Sequence, residues 1–198
     1  YMLPALLGKF KDEFDDVNIR LKVSNTEGIV SMVEKNVIDL GIVEASVNNK
    51  HLLVETCLTD QLLVMVPPDH ELADRETIQI SEILDLPFIC REEGSGTREV
   101  IAEYLSEHTE PGSELNFALE LGSPEAIKGA VEAGMGISIL SEATVVKELK
   151  LGSLVAIPLN PPLQRPFSFV RQRHKFRHRV TEELLRFAQE YCQLQENS

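Results

Sequence analysis

The sequence predicts an α/β fold with two lobes, on three observations. Helix-like and strand-like patterns alternate along the chain. Proline-containing breaks at "PPDH" (67–70) and "NPPLQRP" (160–166) divide the pattern into two α/β sets. The 198 residues, 43% of them hydrophobic, are enough for a substantial core. We therefore expect one lobe from 1–66 and 163–198 and a second from 67–162, with two crossings between them.

The first lobe is predicted from its hydrophobic spacing. Leucines and phenylalanines between 3 and 14 recur at helical intervals, and "VNIRLKV" (17–23) alternates as a strand does. Ser24 and Glu27 fit a capping box for the next helix, with Asn25 as a competing cap. Strands are then expected at "LGIV", 52–58 and 61–66, and a closing helix over 180–191.

The second lobe contains the clearest start and stop signals. "PFICR" predicts a strand, and the Gly-rich "EEGSGTR" leads from it into a helix. In "LGSPEAIKGAVEAGMGISIL", Ser123 is the expected N-cap, Pro124 the first helical residue and Gly134 the stop. A strand at 137–140, a helix between Ser141 and Gly152, and the strand "LVAIPL" follow.

The charge distribution bounds the function. A net charge of −13 disfavours DNA wrapping by this chain alone, because phosphate binding needs a concentrated basic face. The cluster "RQRHKFRHR" (171–179) is the exception, and it fits either a contact to DNA or an acidic partner, or a solvated loop that balances nearby acids. His174 and His178 have helical ligand spacing but no nearby third ligand, so no metal site is expected.

Other classes of protein find little support. The three cysteines are far apart and outside any CxxC, which predicts reduced, partly buried thiols. No run approaches the roughly 20 apolar residues of a membrane span, and the N-terminal stretch does not resemble a secretion signal, so we expect a cytoplasmic protein without membrane contact. The Gly-rich loop lacks a P-loop lysine, and no G-x-S-x-G elbow occurs. Glu92 and Glu93 are either an acid/base pair or two solvated carboxylates. We expect neither an enzyme nor a cofactor.

Hydroxyl and amide side chains mark three predicted helix N-termini, at Asn25–Thr26, Ser95–Thr97 and Ser123. Each alone is ordinary capping. Together they suggest a site for a small anion, because helix N-termini gather at the carboxyl ends of strands in α/β proteins and carry free N–H groups. Arg98 in the first turn either pairs with a bound anion or with Glu92 or Glu93.

Four motifs, in order and at characteristic spacing, resemble the effector-binding domain of LysR-type transcriptional regulators. They are "VIDLGIVEA", "LLVMVPPDHELA", "REEGSGTR" and "ELGSPEAIKGAVEAGMGISILS", and the resemblance covers nearly the whole chain. Their wording looks most like the branch with regulators of carbon-fixation and cysteine or sulfur-assimilation operons. The resemblance implies a type 2 periplasmic-binding-protein fold, in which two α/β lobes are joined by two crossover strands with the effector between them.

The resemblance also implies site residues and partners. Carried over by position, the effector site comprises Asn25, Thr26, Ser95, Gly96, Thr97, Arg98 and Ser123. The implied partners are a small-molecule or inorganic-anion effector, a second copy of the domain in a dimer, and DNA through a winged helix-turn-helix that precedes the domain. The family also has a strand before the motif that "YMLP" matches, so we expect a first lobe without its leading strand. The rival interpretations are a transporter's solute-binding protein with the same fold, and an enzyme whose Gly-rich loop holds a phosphate.

Overall fold

The computed structural model describes residues 2–173 and 179–196, which fall into two compact units. Unit 1 is built from the described residues of Tyr1–Thr59 and Pro166–Ser198, and unit 2 is Asp60–Arg165. Each change of unit lies inside a strand, a few residues from the breaks expected at 66/67 and 162/163.

Both units contain helices and strands. Unit 1 contains α1 (Met2–Glu13), α2 (Thr26–Glu34), β1 (Gly41–Val43) and α6 (Arg179–Glu196). Unit 2 contains a 3-10 turn (Ile80–Ile83), β3 (Phe88–Arg91), α3 (Gly96–His108), β4 (Phe117–Leu121), α4 (Pro124–Glu132), β5 (Ser138–Ser141) and α5 (Glu142–Leu151). Strands β2 (Leu52–Val66) and β6 (Val155–Gln172) run through both units.

Unit 1 packs its helices against a small sheet. Strand β1 pairs antiparallel with β6, with Gly41 opposite Val170. Phe10 of α1 is fully buried and meets Phe187 of α6 edge-on, with 5.4 Å between ring centroids. Apolar side chains from α1, β6 and α6 form one core, and side chains from α2, β1, β2 and β6 form another. The predicted helices at 3–14 and 180–191 are therefore confirmed.

The strand expected at 17–23 is wrong. These residues have no strand conformation, and the side chains of Leu21 and Val23 are 51% and 88% exposed. Alternation of apolar residues makes a strand only where a neighbouring strand accepts its hydrogen bonds. No described residue pairs with this segment as a strand does.

The helix α2 begins at Thr26, with Asn25 rather than Ser24 as its N-cap. Asn25 is the N-cap, and its Oδ1 accepts a 3.0 Å hydrogen bond from the backbone N–H of Gly28. Asparagine is at least as good an N-cap as serine. The competing cap therefore takes the position that the capping box assigned to Ser24.

Two predicted interruptions are also absent. The strands expected at 52–58 and 61–66 are one strand, β2, and β6 continues through the proline-rich 160–166. Polar residues do not end β2 because its second half pairs with β5, with Leu62 opposite Ser141. Prolines fit in a strand where no ladder hydrogen bond needs their missing N–H.

Unit 2 places two helix starts beside each other. Strands β3 and β4 are parallel, and α3 and α4 follow them directly. The carboxyl ends of β3 and β4, and hence the N-termini of both helices, lie at the same edge of this sheet. The caps predicted at Ser123 and Pro124 and the stop at Gly134, whose φ is +73°, are confirmed. Within the described residues, no helix is long and apolar enough to cross a membrane.

Candidate functional site

The loop before α3 brings two hydroxyl side chains into the interior of unit 2. Gly94 adopts a φ of +76°, which glycine tolerates and which turns the chain from β3 into the helix. Ser95 is the N-cap, and its carbonyl accepts from the Glu99 N–H at 3.1 Å. Ser95 and Thr97 are only 2% and 5% exposed. The helix start thus combines buried hydroxyls with first-turn N–H groups that have no intrahelical partner.

Ser95 does not use its hydroxyl as an N-cap serine normally does. A serine at this position usually accepts a hydrogen bond from an N–H of the first turn. Ser95 Oγ makes no such bond and no other hydrogen bond to the part of the chain that the structure describes. This hydroxyl is therefore available as a donor and an acceptor for a ligand.

Thr97 begins a network of buried polar groups within unit 2. Arg165 of β6 donates from Nη1 to Thr97 Oγ1 at 2.7 Å and from Nε to Asp60 Oδ2 at 2.8 Å. Arg165 Nη2 lies 2.6 Å from the same carboxylate oxygen, and Ser141 Oγ donates to Asp60 Oδ1 at 2.8 Å. Tyr104 Oη of α3 also donates to the Pro161 carbonyl of β6. These contacts fix the start of α3 against strands β2 and β6.

Sequence reasoning missed Arg165 and Asp60. Arg165 lies in the "NPPLQRP" segment that was interpreted as a break, and Asp60 lies between two predicted strands that are one. The available signal was an acidic residue and a basic residue inside the two long strands β2 and β6. Charges in such positions are seldom buried without a partner.

Arg98 pairs with an acid that the sequence did not suggest. Its Nη1 lies 2.6 Å from Glu120 Oε2 of β4 and donates to the Arg91 carbonyl at 3.2 Å. The hydrogen bond to Glu120 raises the pKa of Arg98. The close ion pair is therefore with Glu120, and the charge of Glu93 also raises the pKa of Arg98. A contact between Arg98 and a ligand stays a prediction.

Glu92 and Glu93 lie in different environments. Glu92 accepts from Arg91 Nε and Nη2 at 2.7 and 2.9 Å, whereas Glu93 is exposed. Burial alone raises the pKa of Glu92, but the hydrogen bond and charge of Arg91 more than offset this, and the net shift is downward. A carboxyl that stays ionised at neutral pH is a poor general acid.

The other predicted site residues are divided between the units. Ser123 is the exposed N-cap of α4 and has no side-chain capping bond. It lies at the same sheet edge as Ser95, and an ideal Cβ on the neighbouring Gly122 would be 4.0 Å from the Glu92 carboxyl. Asn25 and Thr26 belong to unit 1, where Asn25 caps α2. The structure thus brings Ser95, Gly96, Thr97, Arg98 and Ser123 to one edge of unit 2.

The comparisons with known proteins give the family. The sequence profile of the LysR substrate binding domain matches residues 1–193. This chain belongs to that family. The LysR resemblance is confirmed, and so is the expected two-lobed fold of type 2 periplasmic binding proteins. The chain is accordingly an effector-binding domain of the LysR type.

Individual relatives agree with the expected branch. The chain is 34% identical over 97% of its length to YeiE, an uncharacterized HTH-type transcriptional regulator of Escherichia coli K12, and 32% identical over 88% to a RuBisCO operon transcriptional regulator of Allochromatium vinosum. It spans 63% and 57% of these two proteins. The structure of the Synechocystis PCC6803 CcmR regulatory domain in complex with 2-PG is 33% identical, with a TM-score of 0.89 over 97% of this chain and 91% of that one.

The basic cluster at 171–179 is only partly described in this LysR domain. Arg171 Nη2 lies 2.6 Å from Glu55 Oε1, and the Arg173 N–H donates to the His51 carbonyl at 2.9 Å. His174, Lys175, Arg177 and His178 lie outside the described residues. Arg171 therefore balances a nearby acid, which is one of the two alternatives that the sequence left open.

The cysteines are free thiols, in agreement with the sequence. Cys90 and Cys192 are buried and Cys57 is half-buried. Burial raises the pKa of Cys90, and burial together with the neighbouring Cys192 raises that of Cys57. Protonated thiols are weak nucleophiles at neutral pH. No metal-ligand cluster occurs within residues 2–173 and 179–196.

Proposed function

We propose that this domain binds a small anionic effector at the start of α3, and that a longer regulator uses this event to control transcription. The observation that carries the proposal is the pair of largely buried hydroxyl residues, Ser95 and Thr97, in front of first-turn N–H groups without an intrahelical partner. Helix N-termini attract anions through these donors and through the helix dipole. The CcmR regulatory domain, with 2-PG bound, supports the choice of an anion.

The chemistry of the site suits binding rather than turnover. Ser95, Thr97 and the backbone of Gly96 offer hydrogen-bond donors to ligand oxygens, and Ser123 adds a hydroxyl from the adjacent helix start. Glu92 is held ionised by Arg91. The relatives are named transcriptional regulators, which favours a regulator over a solute-binding protein or an enzyme.

The remaining activities belong to the longer protein in this proposal. The chain covers less than two thirds of the regulators that it matches, and its net charge is −13. DNA contact would therefore come from a separate region of the polypeptide. This domain would contribute effector recognition and self-association as a dimer, and Asn25 and Thr26 would supply further effector contacts from unit 1.

Calorimetric titration tests the effector site. The probes are 2-PG, inorganic phosphate and sulfate, titrated into the wild type and the Thr97→Ala and Ser95→Ala variants. Each change removes one hydroxyl donor and keeps the backbone N–H groups, so we expect each to weaken binding by about 1 kcal/mol.

A threonine at the opposite end of α3 provides the control. Thr109 Oγ1 donates to the Leu105 carbonyl at the helix C-terminus, and Thr109→Ala should leave ligand affinity unchanged. If a probe binds tightly and neither Thr97→Ala nor Ser95→Ala alters its affinity, the hydroxyls only form the helix start and the proposed site is wrong.

A further inference from the structure

The contact between Thr97 and Arg165 fixes the direction of a hydrogen bond. A guanidinium can only donate, whereas a hydroxyl has one hydrogen to donate and lone pairs to accept. Thr97 Oγ1 is 2.7 Å from Arg165 Nη1 and must therefore accept. The Thr97 hydrogen is left for another acceptor, and the described residues supply none.

Arg165 is itself held in one orientation. Its Nε and Nη2 both contact Asp60 Oδ2, at 2.8 and 2.6 Å, while Ser141 Oγ occupies the other carboxylate oxygen. The arginine is 2% exposed, so its fork has little freedom to turn away from Thr97. Asp60 also neutralises the charge of Arg165, which limits the attraction that this charge exerts on an anion at the start of α3. Its influence at the helix start is therefore directional.

We propose that Arg165 is a positioning residue, which makes the Thr97 hydroxyl a dedicated donor and so favours an effector that presents a hydrogen-bond acceptor there. The proposal rests on the proposed function, because it requires the effector to lie at the start of α3. The matching groups are carboxylate, phosphate and sulfate oxygens. An amide N–H or an ammonium group at that position would place a donor against a donor and leave both hydrogens unpaired.

The substitution Arg165→Lys tests the hydrogen bond from Arg165 to Thr97 separately from the effect of positive charge. A lysine keeps a cation opposite Asp60, but it lacks the planar fork that reaches Asp60 and Thr97 together. Affinities for 2-PG, inorganic phosphate and sulfate are measured by calorimetry in a double-mutant cycle with Thr97→Val. We expect Arg165→Lys to weaken binding about fivefold when Thr97 is present and by less than about twofold in the Thr97→Val background.

The dependence on Thr97 distinguishes positioning from a structural role. The proposal for Arg165 is overturned if Thr97→Val weakens binding but Arg165→Lys lowers ligand affinity equally in both backgrounds, or in neither. Failure of every probe to bind, or indifference of binding to Thr97→Val, would overturn the proposed site as well.

If the Arg165→Lys variant does not fold, a second double-mutant cycle replaces it. The pair Asp60→Asn/Arg165→Met removes both charges together, and the Asn side chain can still accept from Ser141. Thermal unfolding identifies the folded variants, and the same Thr97-dependent loss is expected.

Discussion

Buried charged residues in unit 2 lie beside residues of opposite charge. Removing one partner of such a pair therefore leaves the other without compensation and lowers the stability of the fold. Lys128 of α4 is 4% exposed, and its Nζ is 2.9 Å from both Glu125 and Glu148 and donates to the Thr144 carbonyl at 3.1 Å. Glu148 Oε2 is buried without a hydrogen-bond partner. The ammonium of Lys128 is thus the main compensation for the Glu148 carboxylate.

Replacing Lys128 should destabilise the fold. The substitution Lys128→Met leaves the Glu148 carboxylate buried without its cation, and losing one partner of a buried pair costs about 3 kcal/mol. Urea denaturation at pH 7 measures the change in the free energy of unfolding. The control is Lys147→Met on α5, whose side chain is exposed and which should change stability by less than about 0.5 kcal/mol. Similar losses for the two variants would contradict the buried-pair explanation.

The same variant has a predicted pH dependence. Burial alone raises the pKa of Glu148, but Lys128 more than offsets this, so the net pKa is lowered. In the wild type this pair stabilises the fold above the ordinary carboxyl pKa of about 4.3, and the contribution is lost as pH falls through the lowered pKa. Without Lys128, burial raises the Glu148 pKa. Protonation of Glu148 then removes the unpaired buried charge and stabilises the variant. The difference in unfolding free energy should therefore be largest near pH 7 and shrink below about pH 4.

At the scale of elements, a close backbone approach sets β5 beside β3. Gly136 has a φ of +153°, and an ideal Cβ there would lie 2.4 Å from the Pro87 carbonyl oxygen. The next residue, Ile137, donates to that carbonyl at 2.8 Å, and Ile89 donates back to the Ile137 carbonyl at 2.8 Å. A side chain at 136 would separate these strands.

The substitution Gly136→Ala should cost about 3 kcal/mol, because it combines backbone strain with a clash against main chain. Gly152→Ala is the matched control: Gly152 has a φ of +68°, but no atom lies within 4 Å of its ideal Cβ. We expect about 1 kcal/mol there, from the backbone conformation alone. Thermal or urea unfolding compares the two, and a larger loss at Gly152 would refute the clash.

The elements that could be predicted are those with local signals. Ser123, Pro124 and Gly134 mark α4, and Ser95 and Thr97 mark the start of α3, within a few residues of sequence. The strand at 17–23 failed because strand formation depends on a neighbour that alternation does not reveal. The pair Asp60 and Arg165 could not be predicted because 105 residues separate the two, and only the packing of unit 2 brings them together.

At the scale of the whole molecule, acidity opposes association of like chains. The chain carries a net charge of −13, while Leu21 and Val23 leave apolar surface exposed. Apolar contact favours a dimer and mutual repulsion disfavours it. Added salt screens the repulsion, because the Debye length falls from about 30 Å at 0.01 M to about 8 Å at 0.15 M.

We therefore predict that self-association strengthens with ionic strength over this range. Sedimentation equilibrium of the 22.2 kDa chain at the two salt concentrations gives the dissociation constants. Sucrose at matched osmolality is the control, and it should not reproduce the effect. A chain that remains monomeric at both salt concentrations, or a dimer that dissociates when salt is added, would count against the prediction.

Because β2 and β6 pass through both units, unit 2 is inserted within the sequence of unit 1, and this affects the order in which the units can fold during synthesis. Unit 2 is one continuous stretch, Asp60–Arg165, whereas the core of unit 1 joins Leu6 near one end of the chain to Leu185 near the other. Unit 2 therefore has all of its residues, including those around Thr97 and Arg165, before α6 in the order of synthesis. The early half of unit 1 cannot complete its core until α6 is available, so unit 1 should finish folding after unit 2 during translation.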